Sequence, residues 1–289
     1  LHPNNQIKNS KKTLSYNEWL NKLGYDGPNP WNDWANSAEG ENGEILSGWR
    51  LRNSNKAARI PEKHSETAFM TNRAMEFIEE SKDKPWFLHL SYIKPHWPYM
   101  APAPYHNMYS ANEFYPVHRN DAERNNDHPV YKAFMENSIS KTFSKDEVRN
   151  TVLAGYMGLI KQIDDNLGRL FKFLESSGHM DDTMIVFTSD HGDYQGDHWL
   201  GEKELFHEQS VRVPMIIYDP SEYANKTRGT KEQRFIEAID LLPTFLDAVE
   251  SPASKHRLEG NSLIPLLKGE RAKNWKDFVF SEIDYSFNE

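Results

Sequence analysis

Cysteine is absent from the 289 residues. That excludes disulfides, thiolate metal sites, iron–sulfur clusters and a cysteine nucleophile within this chain. It suits a reducing compartment, and a cytoplasmic location is expected. Basic residues are in deficit: 34 Lys and Arg face 43 Asp and Glu, for a formal charge of −9. Neutralising a phosphate backbone needs the opposite balance, so no nucleic-acid partner is expected. No uncharged apolar run approaches the ~18 residues of a membrane span, so no membrane partner is expected either. Internal repeats, heptads and low-complexity tracts are missing, and no His-x3-His pair stands out among the 12 histidines. Neither an initiator methionine nor a secretory leader stands at Leu1, which reads as a fragment boundary.

What is present is the material of a folded protein. Hydrophobic residues make up 37% and aromatics 12%, large burial units that disordered chains lack. Residues 1–60 are rich in Asn, Gly, Pro and Trp and read as loops, with one short helix around Tyr16–Leu23. Ser65 is an N-cap candidate for a helix running to Ser81, with Phe69, Met75 and Ile78 on one face. The apolar run Trp86–Tyr92 has strand length. Residues 98–142 are polar and proline-punctuated. Ser144 and Glu147 have capping-box spacing ahead of a long amphipathic helix that ends at Gly178. Within it, Gly155 and Gly158 invite a bend or close packing. Thr183–Thr188, Val213–Tyr218 and Phe278–Phe280 read as further strands, and Arg234–Val249 as a helix interrupted at Pro243. Strands alternating with helices predict an α/β fold with a largely parallel sheet covered by helices on both faces.

Three strings carry chemistry. Thr188-Ser189-Asp190-His191-Gly192-Asp193 follows a predicted strand, at the end of a sheet where ligands bind. Asp190 and His191 offer a hard oxygen and a borderline nitrogen, a donor pair for one divalent cation; Mn²⁺, Zn²⁺ and Ca²⁺ all suit it. The same string also reads as a turn in which Asp190 caps the next segment. In Lys94-Pro95-His96-Trp97-Pro98 two prolines restrict the backbone around His96, which fits a fixed general acid or equally a packing histidine. Lys203 lies in a Gly- and His-rich loop with acidic neighbours. It reads as a solvated lysine or, beside a metal, as an ammonium for an anion and a leaving oxygen. Asp197 and His198 are secondary candidates. Asp164 and Asp165 fall in the long helix, point in different directions and read as structural.

The order of motifs resembles the sulfatases of the alkaline phosphatase superfamily. It runs from Lys-Pro-His-x-Pro through Gly155–Leu170, the Asp190-His191 string, Lys203 to Arg212-Val213-Pro214, Asp240-Leu241-Leu242-Pro243-Thr244 and Gly260–Gly269. Asp-His at the metal motif, with Pro85–Tyr92 and Pro102–Tyr109, is most similar to the phosphonate monoester hydrolases. The resemblance covers only the C-terminal part of the chain, about residues 65–285.

The resemblance implies an alkaline-phosphatase-like domain lacking its N-terminal strands. Residues 1–270 would form the later part of the catalytic domain and 271–289 the start of a smaller subdomain. It implies hydrolysis of phosphonate monoesters, phosphodiesters or sulfate esters, with Asp190 and His191 as metal ligands and His96 and Lys203 on the transferred group and leaving oxygen. The family nucleophile is a formylglycine made in a Cys/Ser-x-Pro-x-Arg motif. No such motif occurs here, so the nucleophile is expected upstream and this chain alone is expected to be inactive. A choline or aryl sulfatase, a two-metal phosphodiesterase and a non-catalytic, anion-binding fragment remain alternatives. The expected partner is a small anionic ester, and a homo-oligomer is admitted.

Overall fold

The computed structural model describes residues 15–110, 114–125, 128–251, 257–270 and 275–284. They form two compact units: Leu1–Ser176 with Asp193–Glu204, and Ser177–Gly192 with Leu205–Glu289.

The first unit is built on helices. Helix α1 (Tyr16–Lys22) opens with Ser15, whose hydroxyl accepts from Glu18 N while the Glu18 carboxylate accepts from Ser15 N, a capping box. Strands β1 (Ser37–Glu39) and β2 (Ile45–Ser47) make a small antiparallel hairpin. Helix α2 (Glu66–Ser81) starts at the expected cap, Ser65, which accepts from Ala68 N at 3.2 Å. Residues 15–60 contribute to a buried core. Tyr16, Leu20, Ala35, Ala38, Ala58 and Ile60 share a buried cluster with Phe69 of α2 and Met100.

After the short helices α3 (Pro129–Glu136) and α4 (Ser138–Phe143), helix α5 runs from Asp146 to Ser176. Its apolar face buries Val152, Leu159, Ile163, Leu170 and Leu174, whereas Ile160, which the sequence spacing places on that face, is exposed. The predicted capping box at Ser144 does not form. Ser144 ends α4, and its hydroxyl donates to Ser140 O at 2.9 Å instead. Gly155 and Gly158 serve close packing. A Cβ at 155 would lie 2.6 Å from Ser54 O and 2.9 Å from Tyr99 O, and one at 158 only 2.1 Å from Tyr105 O. Asp164 and Asp165 are structural, as read: both pair with Lys161, and Asp165 accepts from Tyr105 Oη at 2.9 Å.

The second unit contains strands β3 (Ile185–Thr188) and β4 (Met215–Tyr218), with helices α6 (Glu208–Val211), α7 (Leu241–Ala248) and α8 (Ile264–Leu267). Two of the sequence motifs meet here. The fully buried Asp240 carboxylate accepts from Asn261 N at 2.8 Å, from Glu237 N at 2.8 Å and from Lys276 Nζ at 2.9 Å.

The predicted parallel sheet is not found. Among the described residues there are two two-stranded sheets, both antiparallel; β3 pairs with β4 from Ile185↔Tyr218 to Thr188↔Met215. Alternation of strands and helices implies parallel strands only where a long helix makes the crossover. The connection from 189 to 214 holds only the four-residue α6 and the loop 193–204 that belongs to the first unit. The run 86–92 and residues 278–280 have strand-like sequences but are not assigned to a strand among the described residues; Phe87 is 69% and Phe280 72% exposed. The expected division at 270/271 falls beside residues 271–274, which, with 252–256 and 285–289, lie outside the described residues.

Adding one methyl at Gly158 places carbon well inside van der Waals distance of the Tyr105 carbonyl. Gly158→Ala is expected to destabilise the first unit by roughly 1–3 kcal/mol, read as a lower midpoint in urea unfolding, whereas Gly168→Ala, with nothing within 4 Å, raises it or leaves it unchanged.

Candidate active site

The segment after residue 92 turns sharply, with cis peptide bonds at Lys94–Pro95 and Trp97–Pro98. His96 N donates to Ile93 O at 3.0 Å, and the imidazole stands exposed at the apex. Its Nδ1 lies 2.7 Å from Trp97 O and its Nε2 lies 2.9 Å from Lys203 Nζ. A neutral imidazole that donates from Nδ1 to the carbonyl accepts at Nε2 from the ammonium, so the two contacts select one tautomer. Two predicted site residues 107 positions apart are thus brought into hydrogen-bond contact within the first unit.

Lys203 reaches that contact at the end of a strained loop. Gln195, His198, Trp199 and Glu202 all have positive φ, between 48° and 62°. Such geometry persists only where surroundings enforce it, and here the anchors are many. His198 N donates to His118 O at 2.8 Å, and His118 N to the Asp197 carboxylate at 3.0 Å. His198 Nδ1 meets Glu123 Oε1 at 2.8 Å, and Trp199 Nε1 donates to Asn120 O at 2.8 Å. The Trp199 ring lies under the guanidinium groups of Arg119 and Arg124, at 4.2 and 3.6 Å. Arg149 Nε donates to Gln195 O at 3.0 Å. Asp197 and His198 therefore serve as loop anchors. Burial and the neighbouring Glu204 carboxylate push the Glu202 carboxyl up, beside Lys203.

Asp190 and His191 lie in the second unit, just after β3. Thr188 Oγ1 donates to Pro214 O at 2.9 Å, and Ser189 Oγ donates to His191 O at 2.8 Å, which shapes the turn. Gly192 allows close approach rather than an unusual dihedral: its N–H donates to Ser210 O at 2.7 Å, and a Cβ would sit 2.0 Å from Gln209 O. The Asp190 side chain is 87% exposed, and its Oδ2 is 3.7 Å from His191 Nε2. His191 Nδ1 lies 2.7 Å from Gly192 O, which leaves Nε2 on the side of the carboxylate. This donor pair fits part of a divalent-metal shell. Among the described residues no group of three or more His, Asp or Glu is arranged to hold a metal.

Sequence reading missed two polar links. Tyr99, 1% exposed, donates from Oη to Asp193 Oδ2 at 2.6 Å, and burial beside that carboxylate raises its phenol strongly. Lys94 is buried, its Nζ donating to Asn36 Oδ1 at 2.7 Å and to Pro98 O at 2.5 Å. Nothing in a loop lysine flanked by proline announces burial; the signal lies in tertiary contact with residue 36.

The Sulfatase family model matches residues 2–251. The chain belongs to the sulfatase family. It is 37% identical over 248 residues to the multifunctional alkaline phosphatase superfamily protein PehA of Trinickia caryophylli, covering 80% of this chain and 47% of that protein. It is 32% identical to an arylsulfatase of Clostridium perfringens, covering 77% and 45%. The phosphonate monoester hydrolase of Silicibacter pomeroyi superimposes with a TM-score of 0.83 at 30% identity, over 94% of this chain and 53% of that one. The enzyme of Agrobacterium radiobacter gives 0.77 at 29%, over 93% and 54%. This sulfatase-family chain spans about half the length of these relatives. The likeness is not confined to a C-terminal part: the family match begins at residue 2, taking in the aromatic-rich segment that packs on α2. The family in general works with a metal and a formylglycine. No helix among the described residues is long and apolar enough to cross a membrane.

Burial pushes Lys94 down to about 8 and the Glu66 carboxyl up, each offset in part by the other's charge. Below pH 8 the lysine is charged in both folded and unfolded chains. From there to 10.5 the unfolded chain holds a proton that the folded one has lost, so stability rises with pH, by roughly 3 kcal/mol in all. Urea unfolding between pH 8 and 10, below the raised tyrosines, is expected to show this rise, and Lys94→Met to flatten it.

Proposed function

We propose that the protein to which this chain belongs hydrolyses small anionic esters, with phosphonate monoesters and phosphodiesters ahead of sulfate esters. The observation that carries the reading is the 2.9 Å contact between His96 Nε2 and Lys203 Nζ, two motif residues far apart in sequence. The structural likeness to two phosphonate monoester hydrolases supports the substrate class.

In this reading Lys203 holds its proton on Nζ, shared with His96 Nε2. The ammonium meets negative charge developing on the departing oxygen and gives it a proton from Nζ, and His96 orients the ammonium through Nε2. Asp190 and His191 hold one divalent cation, Mn²⁺, Zn²⁺ or Ca²⁺, whose contribution when bound is Lewis-acid polarisation. The formylglycine nucleophile comes from outside this chain. Residues 1–270 belong to the catalytic domain and 271–289 begin a smaller subdomain. The partner is a small anionic ester rather than nucleic acid or a membrane, a homo-oligomer is admitted, and the cysteine-free composition favours the cytoplasm. A sulfatase proper is the second reading, favoured by the 32% identity to an arylsulfatase.

The test is turnover of an aryl phosphonate monoester and an aryl sulfate by the longer protein carrying this chain and by the chain alone. The longer protein is expected to prefer the phosphonate, and Lys203→Ala to lower kcat roughly 100- to 1,000-fold. The chain alone is expected to give no turnover. Multiple turnovers by the chain alone, lost in Lys203→Ala, would overturn the external nucleophile. Preference for the sulfate would select the second reading.

A further inference from the structure

Lys94 is a charged residue that the proposed chemistry does not use, yet it is 8% exposed. Its surroundings are polar and rigid. Asn36, 1% exposed, donates from Nδ2 to Trp31 O at 3.0 Å, which turns its amide oxygen toward Lys94 Nζ. The backbone of Asn36 is locked as well: its carbonyl accepts from Gly48 N at 2.8 Å, and any Cβ at 48 would sit 2.5 Å from that oxygen. Glu66 lies near enough to favour the ammonium electrostatically, and is itself held by Trp31 Nε1 at 2.8 Å.

In the segment 94–98 the Pro98 carbonyl accepts from Met100 N at 2.9 Å. Pro95 and Pro98 have no N–H, which removes two of the backbone donors that ordinarily close a tight loop. The Lys94 ammonium supplies one from its side chain, donating 2.5 Å across the loop to Pro98 O while its second contact ties the loop to Asn36. His96 is the residue at the middle of the span so closed, and its imidazole lies on the contact with Lys203.

We propose that Lys94 is a positioning residue for His96: its buried ammonium, held between Asn36 Oδ1 and Pro98 O, closes the 94–98 loop and keeps the imidazole in the Nδ1–H tautomer that accepts from Lys203. The catalytic meaning of that alignment rests on the function proposed above; the alignment itself does not.

The experiment is ¹⁵N NMR of the histidine side chains in the 289-residue chain, with His96 assigned by its loss in His96→Gln. The unsubstituted chain is expected to show His96 in the single Nδ1–H form. In Lys94→Met, which keeps the length of the stem and removes the donor, its shifts are expected to move toward the tautomer mixture of free histidine. In Asn36→Ala, which removes one of the two acceptors, the same change is expected at smaller amplitude. Unchanged His96 shifts in a folded Lys94→Met chain overturn the proposal. If Lys94→Met does not fold by circular dichroism, Asn36→Ala decides in the same way, and loss of folding in both makes Lys94 a brace of the core and likewise overturns it. In the longer protein the expected companion is a loss in kcat of roughly 10- to 100-fold with KM little changed. Absence of hydrolysis there, or indifference to Lys203→Ala, would sink the functional reading and leave the tautomer result standing on its own.

Discussion

Three backbone carbonyls, those of Ser54, Tyr99 and Tyr105, occupy the space where helix α5 would carry side chains at 155 and 158. That contact fixes how near the helix lies to the chain leaving the His96 loop. Because Tyr99 O is one of the three, the position of α5 is transmitted within five residues to the loop's far end. Tyr99 continues the linkage on its other side, through Oη to Asp193, the first residue of the loop that ends near Lys203. A fully buried phenol bonded to a carboxylate is costly to rearrange. The alignment of His96 with Lys203 therefore rests on a packed backbone contact and a buried hydrogen bond, and not on the exposed side chains alone.

Helices α2 and α5 were legible because their information is local: a cap at Ser65, and a three- and four-residue apolar recurrence that includes Ile163, Leu170 and Leu174. Sheet direction was not, because pairing depends on partners distant in sequence. Residues 86–92 show the limit: their composition suits a strand, but no strand pairs with them among the described residues. For the site, motif order singled out His96, Asp190, His191 and Lys203 as residues of interest, and the contact between His96 and Lys203 is what the structure adds. Asn36 and Lys94 were invisible for a physical reason. A lysine in a polar loop is solvated by default, and only a facing amide 58 residues earlier makes its burial tolerable.

The loop 193–204 shows how the molecule spends conformational energy. Positive φ at non-glycine residues is unfavourable, yet four such residues stand within eight positions. Their enforcement comes from Arg149 of α5 and from residues 118–124, a stretch that in sequence looks like polar filler. Its histidine, arginines and acidic groups hold backbone and ring atoms of the loop one by one. The strain is local, and it adjoins the lysine that meets His96.

The path of the polypeptide has an evolutionary corollary. The stretch that completes the first unit, Asp193–Glu204, returns from inside the sequence of the second, which is itself resumed at Leu205. One genetic crossover at residue 176 would hand a descendant His96 and Tyr99 from one parent and their counterparts Lys203 and Asp193 from the other. The two units are thus bound to be inherited together, and exchange of modules between homologues is penalised by the route of the chain itself.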